Sequence, residues 1–288
     1  MAKSKAGGSR AFIRGRIGSD VYSIGKDGKG SRQQVVRSLA ETVANPRTSS
    51  QMFNRMIMST VMQAVSAMSE IIDHSFDGIA KGQPNISEFI RLNYNLIKAD
   101  AIAHPGSANT FGLVKYQEKG IRVGAYQVSK GSVELPGVVT VSAPNIQIDL
   151  TAAGATVGGL KSALGLGADD YFTIVAIDDK TGFMFCRFRI DPSLADAAVI
   201  DATSVKTMFL TEGNVVPGIA FSNNKVVFGY EDYNSEQAQG IILSKLEDGG
   251  WGHSSCTMVP SSPLTYKSDV ALPTYPTGAE KFLNGGEL

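Results

Sequence analysis

The sequence predicts an α+β protein. It reads as an extended basic N-terminal arm, an α-helical hairpin, a mainly antiparallel β-sandwich or open barrel, and an extended C-terminal tail. Three observations carry this. Positive charge is concentrated in the first sixty residues. After Pro46 apolar residues recur at three- and four-residue spacings. From about residue 108 short alternating apolar runs follow one another, separated by turn residues. The boundaries drawn are 1–46 for the arm with short strands, 47–104 for the helical hairpin, 105–260 for the antiparallel β domain and 261–288 for the tail.

The arm holds Lys3, Lys5, Arg10, Arg14 and Arg16 within its first sixteen residues. The first sixty residues carry eleven Lys/Arg and three Asp/Glu, a net +8, out of 27 and 27 in the chain. The remaining residues carry sixteen and twenty-four, a net −8. A neutral total thus hides two opposite parts, and the basic part is expected to touch something acidic: nucleic acid, or the acidic body of a neighbouring copy. Residues 1–10 are small and polar, and are expected to order only against a partner. Ala11–Ile24 reads as one or two short strands broken at Gly15 and Gly18. Residues 25–30 form a turn with several glycines, and Gln33–Ala40 is the return strand.

Asn45 and Pro46 make a turn, and Thr48 with Gln51 matches a capping box for the helix that follows. Met52, Phe53, Met56, Ile57, Val61, Met62, Val65, Met68, Ile71 and Ile72 keep helical spacing to about Asp73. Ser49, Asn54, Arg55, Thr60, Gln63, Ser66 and Ser69 make the opposite face polar and nearly uncharged, a face that a neighbouring copy covers easily. A second helix starts at Pro84 with Asn85 and Glu88 as its capping pair and ends near Ala103.

The expected strands are Leu113–Gln117, Ile121–Ser129, Gly137–Val141, Asn145–Leu150, Tyr171–Ile177, Phe183–Ile190, Val205–Leu210, Ala220–Phe221, Lys225–Tyr230 and Gln239–Ser244, with a short helix over Leu160–Leu166. Asp178–Gly182, Asn223-Asn224 and Glu247–Gly250 are hairpin turns. Residues after 260 are rich in proline and read as extended.

At 43% hydrophobic and 19% charged over 288 residues, the composition is that of a globular chain. No eighteen-residue apolar run is present, and the first ten residues lack the apolar centre of a secretory signal, so use without general export is expected. His74, His104 and His253 stand far apart in polar or turn contexts and form no metal motif. Gly154–Ser162 lacks phosphate-loop spacing and reads as a glycine-rich linker. Asp169-Asp170 and Asp178-Asp179 read as turn formers, Cys186 and Cys256 as structural thiols, and Ser254-Ser255-Cys256 lacks the frame of a hydrolase nucleophile. These residues lead to no catalytic constellation, no metal and no cofactor; a non-enzyme is expected.

Gly15-Arg16-Ile17-Gly18, Lys29-Gly30, Val36-Arg37, Asn45-Pro46-Arg47-Thr48, Gln51 and Arg55 together resemble an uncharacterised family, a domain of unknown function, of Bacteroides-type gut bacteria and their tailed phages. Ile241–Lys245 with Asp248-Gly249-Gly250-Trp251 and Ser254-Ser255 is similar to the closing hairpin of such proteins. The resemblance implies a phage or mobile-element context and no particular activity. The expectation is a structural protein of a tailed-phage virion (neck, ring, tail or capsid accessory) made in the host cytoplasm and oligomerising through its arm, long helix and tail. DNA binding through the arm and a carbohydrate-binding module are the other readings.

Overall fold

The computed structural model describes residues 3–5, 12–26, 32–38, 49–80, 82–103, 108–109, 123–142, 144–178, 181–230, 237–247, 250–261 and 264–265. The chain divides into two compact units, Met1–Pro46 and Arg47–Leu288.

The first unit is a four-stranded antiparallel sheet in sequence order: β1 (Lys3–Lys5), β2 (Phe12–Ile17), β3 (Asp20–Lys26) and β4 (Arg32–Ser38). The described residues are therefore sheet rather than an extended arm, and Lys3–Lys5, expected to be unstructured alone, pair with β2. Main-chain pairing gives these polar residues a structure that their composition does not signal. Gly18 turns the chain between β2 and β3 at φ 58°, whereas Gly15, at φ 121°, bends β2 without ending it.

The second unit opens with α1 (Ser49–Ile72) and α2 (Gln83–Ala103). Phe53, Ile57, Val61, Ala64, Met68 and Ile72 form the buried stripe of α1. Thr60, expected on the polar face, is buried as well. Tyr94 of α2 donates its hydroxyl to Asn54 Oδ1 of α1 at 3.0 Å. Asn85 is not a cap. It lies inside α2, buried, and donates to the Asp73 carbonyl at 3.0 Å, while Asp73 Oδ1 accepts the Gly82 N–H at 2.9 Å just ahead of the helix.

The elements that follow are β5 (Ala108–Asn109), β6 (Gln127–Ser129), β7 (Val139–Val141), β8 (Asn145–Asp149), α3 (Val157–Leu164), β9 (Tyr171–Asp178) and β10 (Gly182–Ile190). After a 3-10 turn at Ser204–Lys206 come β11 (Phe209–Gly213), β12 (Gly218–Ser222), β13 (Lys225–Gly229), β14 (Gln237–Glu247), β15 (Gly250–His253), β16 (Cys256–Thr257), β17 (Val259–Pro260) and β18 (Leu264–Thr265). The principal sheet runs β11-β10-β9-β14-β15, with β17 also on β14, and a second sheet runs β12-β13-β8-β7. All named strand pairs are antiparallel. The class is α+β, as the sequence predicts.

Side chains alternate across the principal sheet. Val175, Ile177, Phe185, Ala238 and Ile242 join the cluster of α1 and α2. Phe172, Ile174, Cys186, Phe188, Ile241 and Leu243 join Ile146, Ile148, Val226 and Phe228 of the second sheet. Both faces are thus covered, and β9 is buried without interruption from Phe172 to Asp178. That is the physical reason Phe172–Ile177 lacks a polar alternation.

Two expectations need correction. Val205–Leu210 is not one strand. Asp201 Oδ1 accepts the N–H groups of Thr203 and Ser204 at 2.7 and 2.8 Å, which starts the 3-10 turn, and β11 begins only at Phe209. The glycine segment 154–162 is not a linker. Thr156 accepts the Gly159 N–H at 3.0 Å, caps α3, and brings Val157 and Leu160 into the core. In the C-terminal segment Leu264–Thr265 pairs as an extended strand with β5, and residues 266–288 lie outside the described residues. Leu113–Gln117 lies outside the described residues.

Candidate functional site

Four of the expected assembly residues, Lys3, Lys5, Arg14 and Arg16, fall on the N-terminal sheet. Lys3 stands opposite Arg14 in the β1–β2 register and Lys5 opposite Phe12. Arg16 stands opposite Val21, which in turn faces Arg37. Arg16 Nε donates to the Gly18 carbonyl at 2.9 Å and holds the turn. Arg10, Asn45, Pro46 and Thr48 lie outside the described residues. Gln51 is the third residue of α1 and half-buried, the position a capping-box partner takes.

The other face of β2–β4 was not anticipated. Tyr22 stands opposite both Gly15 and Val36. The two-residue period puts Ile17 and Ile24 on the same side. Ile17 is 48% exposed and Val36 52%. Residues 15–25 and 34–38 of this unit are all half-buried or exposed. The signal in the sequence is Tyr22 and Ile24 two residues apart, within the segment expected to form short strands.

In the second unit a buried polar junction ties distant segments together. His253, expected in a polar turn, is only 6% exposed on β15, and its Nδ1 lies 2.9 Å from Ser244 Oγ on β14. Burial pushes the imidazole below its ordinary pKa, with Asp77 opposing and His74 adding to the shift. The Asp77 carboxylate accepts the main-chain N–H of His253 at 2.9 Å, not its ring, and accepts the Ser132 N–H at 2.8 Å. A nucleophilic serine needs a carboxylate on the imidazole to orient it and to stabilise its cation. The carboxylate here fixes backbone instead, and the Ser244–His253 pair is sealed in the sheet. Ser254 extends the junction, its Oγ accepting the Leu243 N–H at 2.8 Å and its carbonyl accepting from Ser129.

Both cysteines are buried thiols. Desolvation pushes Cys186 up to about 11 and Cys256 up to about 12. Asp169 pairs with Arg189, while Asp170 accepts the N–H groups of Gly167 and Leu246 at 2.7 and 2.9 Å and Asp178 that of Thr181 at 2.9 Å. Among the described residues no three His, Cys, Asp or Glu side chains gather as a metal site. No described helix is long and apolar enough to cross a membrane. The chain matches no family model, no curated protein and no solved structure.

Proposed function

We propose that this protein is a structural subunit that assembles with copies of itself in a tailed-phage virion. One observation carries the reading: a basic sheet that leaves Ile17, Ile24 and Val36 exposed on the face of Tyr22, among Asp20, Gln34 and Ser38. Residues 1–46 hold nine Lys/Arg and three Asp/Glu, so they carry +6 while the rest of the chain carries −6. A lone sheet with such residues exposed gains from a covering layer. The acidic remainder of a second copy supplies one of opposite charge, which sets register and speeds encounter. The likeness at residues 15–56 supports the phage setting, with synthesis in the host cytoplasm. In this reading α1 and α2 act as a helical hairpin, the two facing sheets act as a sandwich, and the body they form receives the neighbour's basic sheet.

Analytical ultracentrifugation across protein concentration and salt tests it. We expect a concentration-dependent oligomer that weakens toward molar salt, where the screening length shrinks to about 3 Å. Val36→Glu and the triple reversal of Arg10, Arg14 and Arg16 to Glu are expected to give monomers with an unchanged melt of the second unit. A monomer at all concentrations would overturn the reading. A reversed variant that still assembles but no longer retains DNA would make nucleic acid the partner of the sheet.

A further inference from the structure

Among the described residues, the helix-side face of the principal sheet is not covered along its whole length. α1 stops at Ile72, over the end marked by Val175, Ile177 and Phe185. Beyond it the same face continues through Tyr171 on β9, Arg187 and Arg189 on β10, Glu212 on β11 and Trp251 on β15. These residues line an open cleft of about 470 Å³. That volume falls within the range of small-molecule sites, roughly 300–1,000 Å³.

Two features define what the cleft fits. The first is an aromatic corner: the Tyr171 and Trp251 rings lie 4.9 Å apart at 57°. Trp251 is 42% exposed, a large apolar ring left facing water. The second is a set of guanidinium and carboxylate groups that already neutralise one another. Arg187 lies 3.5 Å from Glu70 and 3.4 Å from Glu212, and Arg189 pairs with Asp169. Both arginines are thus already paired: Asp169 and Glu212 line the cleft with them and His74, and Glu70 reaches Arg187 from outside that lining. The three carboxylates are more than half exposed, at 58%, 77% and 61%, and keep lone pairs for further donors.

We propose that this cleft binds a neutral saccharide. A sugar ring presents C–H bonds on its flat face, which sit against the negative face of an aromatic ring. Its adjacent hydroxyls both donate and accept, and so match alternating carboxylates and guanidiniums without adding charge. A nucleic acid satisfies the stacking but brings phosphates to a cleft whose two arginines are already paired with carboxylates. This inference rests on the second unit alone and stands whether or not the N-terminal sheet mediates assembly.

Trp251 is the single tryptophan of the chain, so its fluorescence reads the cleft directly. The full chain is titrated with cellohexaose, maltohexaose, mannohexaose and N-acetylchitohexaose, with heparin hexasaccharide and a dodecathymidylate as charged probes. We expect a saturable change in emission with at least one neutral probe. Calorimetry is expected to show roughly a tenfold weaker affinity for Trp251→Leu, the upper end of an aromatic contact. Glu212→Gln, an exposed position that leaves the core untouched, is expected to weaken binding severalfold. Emission unmoved by all four neutral probes overturns the proposal. So does a response to heparin or dodecathymidylate alone, or full affinity in both variants.

Discussion

The carboxylate of Asp77, in the loop after α1, accepts the main-chain N–H of His253 at 2.9 Å across 176 residues of chain. Its other oxygen accepts the N–H and hydroxyl of Ser132 at 2.8 and 3.1 Å. One side chain therefore joins the helices to two segments of the β region. Hydrogen bonds to a charged group contribute about 1.5–3 kcal/mol each. Asp77→Ala is expected to lower stability by about 3 kcal/mol in urea unfolding, and Asp77→Asn by less, because the amide keeps one acceptor. Gly131→Ala should be at least as damaging, since its Cβ would stand 2.1 Å from the His253 carbonyl oxygen.

The acid response follows from His253. Its folded pKa is lowered by burial, so the folded protein resists a proton that the unfolded chain accepts. Stability is whole above the ordinary histidine value of about 6.5 and falls as pH drops from there toward the lowered folded value. Melting temperature is expected to decline as pH falls below about 6.5 in the wild type, and to stay flatter in His253→Gln. The carboxylates of Asp149, Asp191 and Asp201, held low by neighbouring hydroxyl and amide donors, lose their contributions only in stronger acid. The two windows separate in a melt series from pH 8 to 3.

α3 has both ends fixed by side-chain chemistry or backbone permission. Thr156 caps its start, and Gly165 ends it at φ 61°, bonding back to Ser162. Thr156→Ala is expected to cost about 1 kcal/mol. Gly165→Ala is expected to cost a similar amount, because an L side chain is strained in the left-handed region. Denaturant titration of the two single variants and the double variant checks both values and their additivity.

Native Cys186 and Cys256 should resist thiol reagents. With thiols pushed up to about 11 and about 12, the thiolate needed for reaction is scarce at pH 8. Treatment with a chromogenic disulfide reagent is expected to release almost no colour from folded protein and two equivalents after denaturation. Fast reaction of either thiol in the native state would contradict this.

Local features were legible because their causes are close in sequence. The 3.6-residue period after Pro46 predicts a helix to about Asp73, and α1 runs Ser49–Ile72. Asn223-Asn224 signals a hairpin, and both residues adopt positive φ, 51° and 57°, in the β12–β13 turn. Segments whose conformation depends on distant support were misread. The glycine-rich run at 154–162 folds into α3 because Leu160 and Leu164 find a core made by other strands. Asn85 reads as a cap by spacing, yet is drawn inside by the Asp73 carbonyl twelve residues earlier.

The sequence by itself determined the helical stripe, the hairpin turns, the charge split and the mixed α+β class. Each follows from periodicity, turn chemistry or counting. Tertiary structure alone decided that β9 pairs with β14, which places Tyr171 opposite Ser244, and that β15 then folds back to set Trp251 beside Tyr171. It likewise decided that Asp77 meets His253 and that, among the described residues, one end of the principal sheet stays uncovered beyond α1. The two-residue period states which side chains share a face, but not which strand lies next to it. That choice rests on long-range burial set against the entropy of closing long loops, and no short window of sequence contains both.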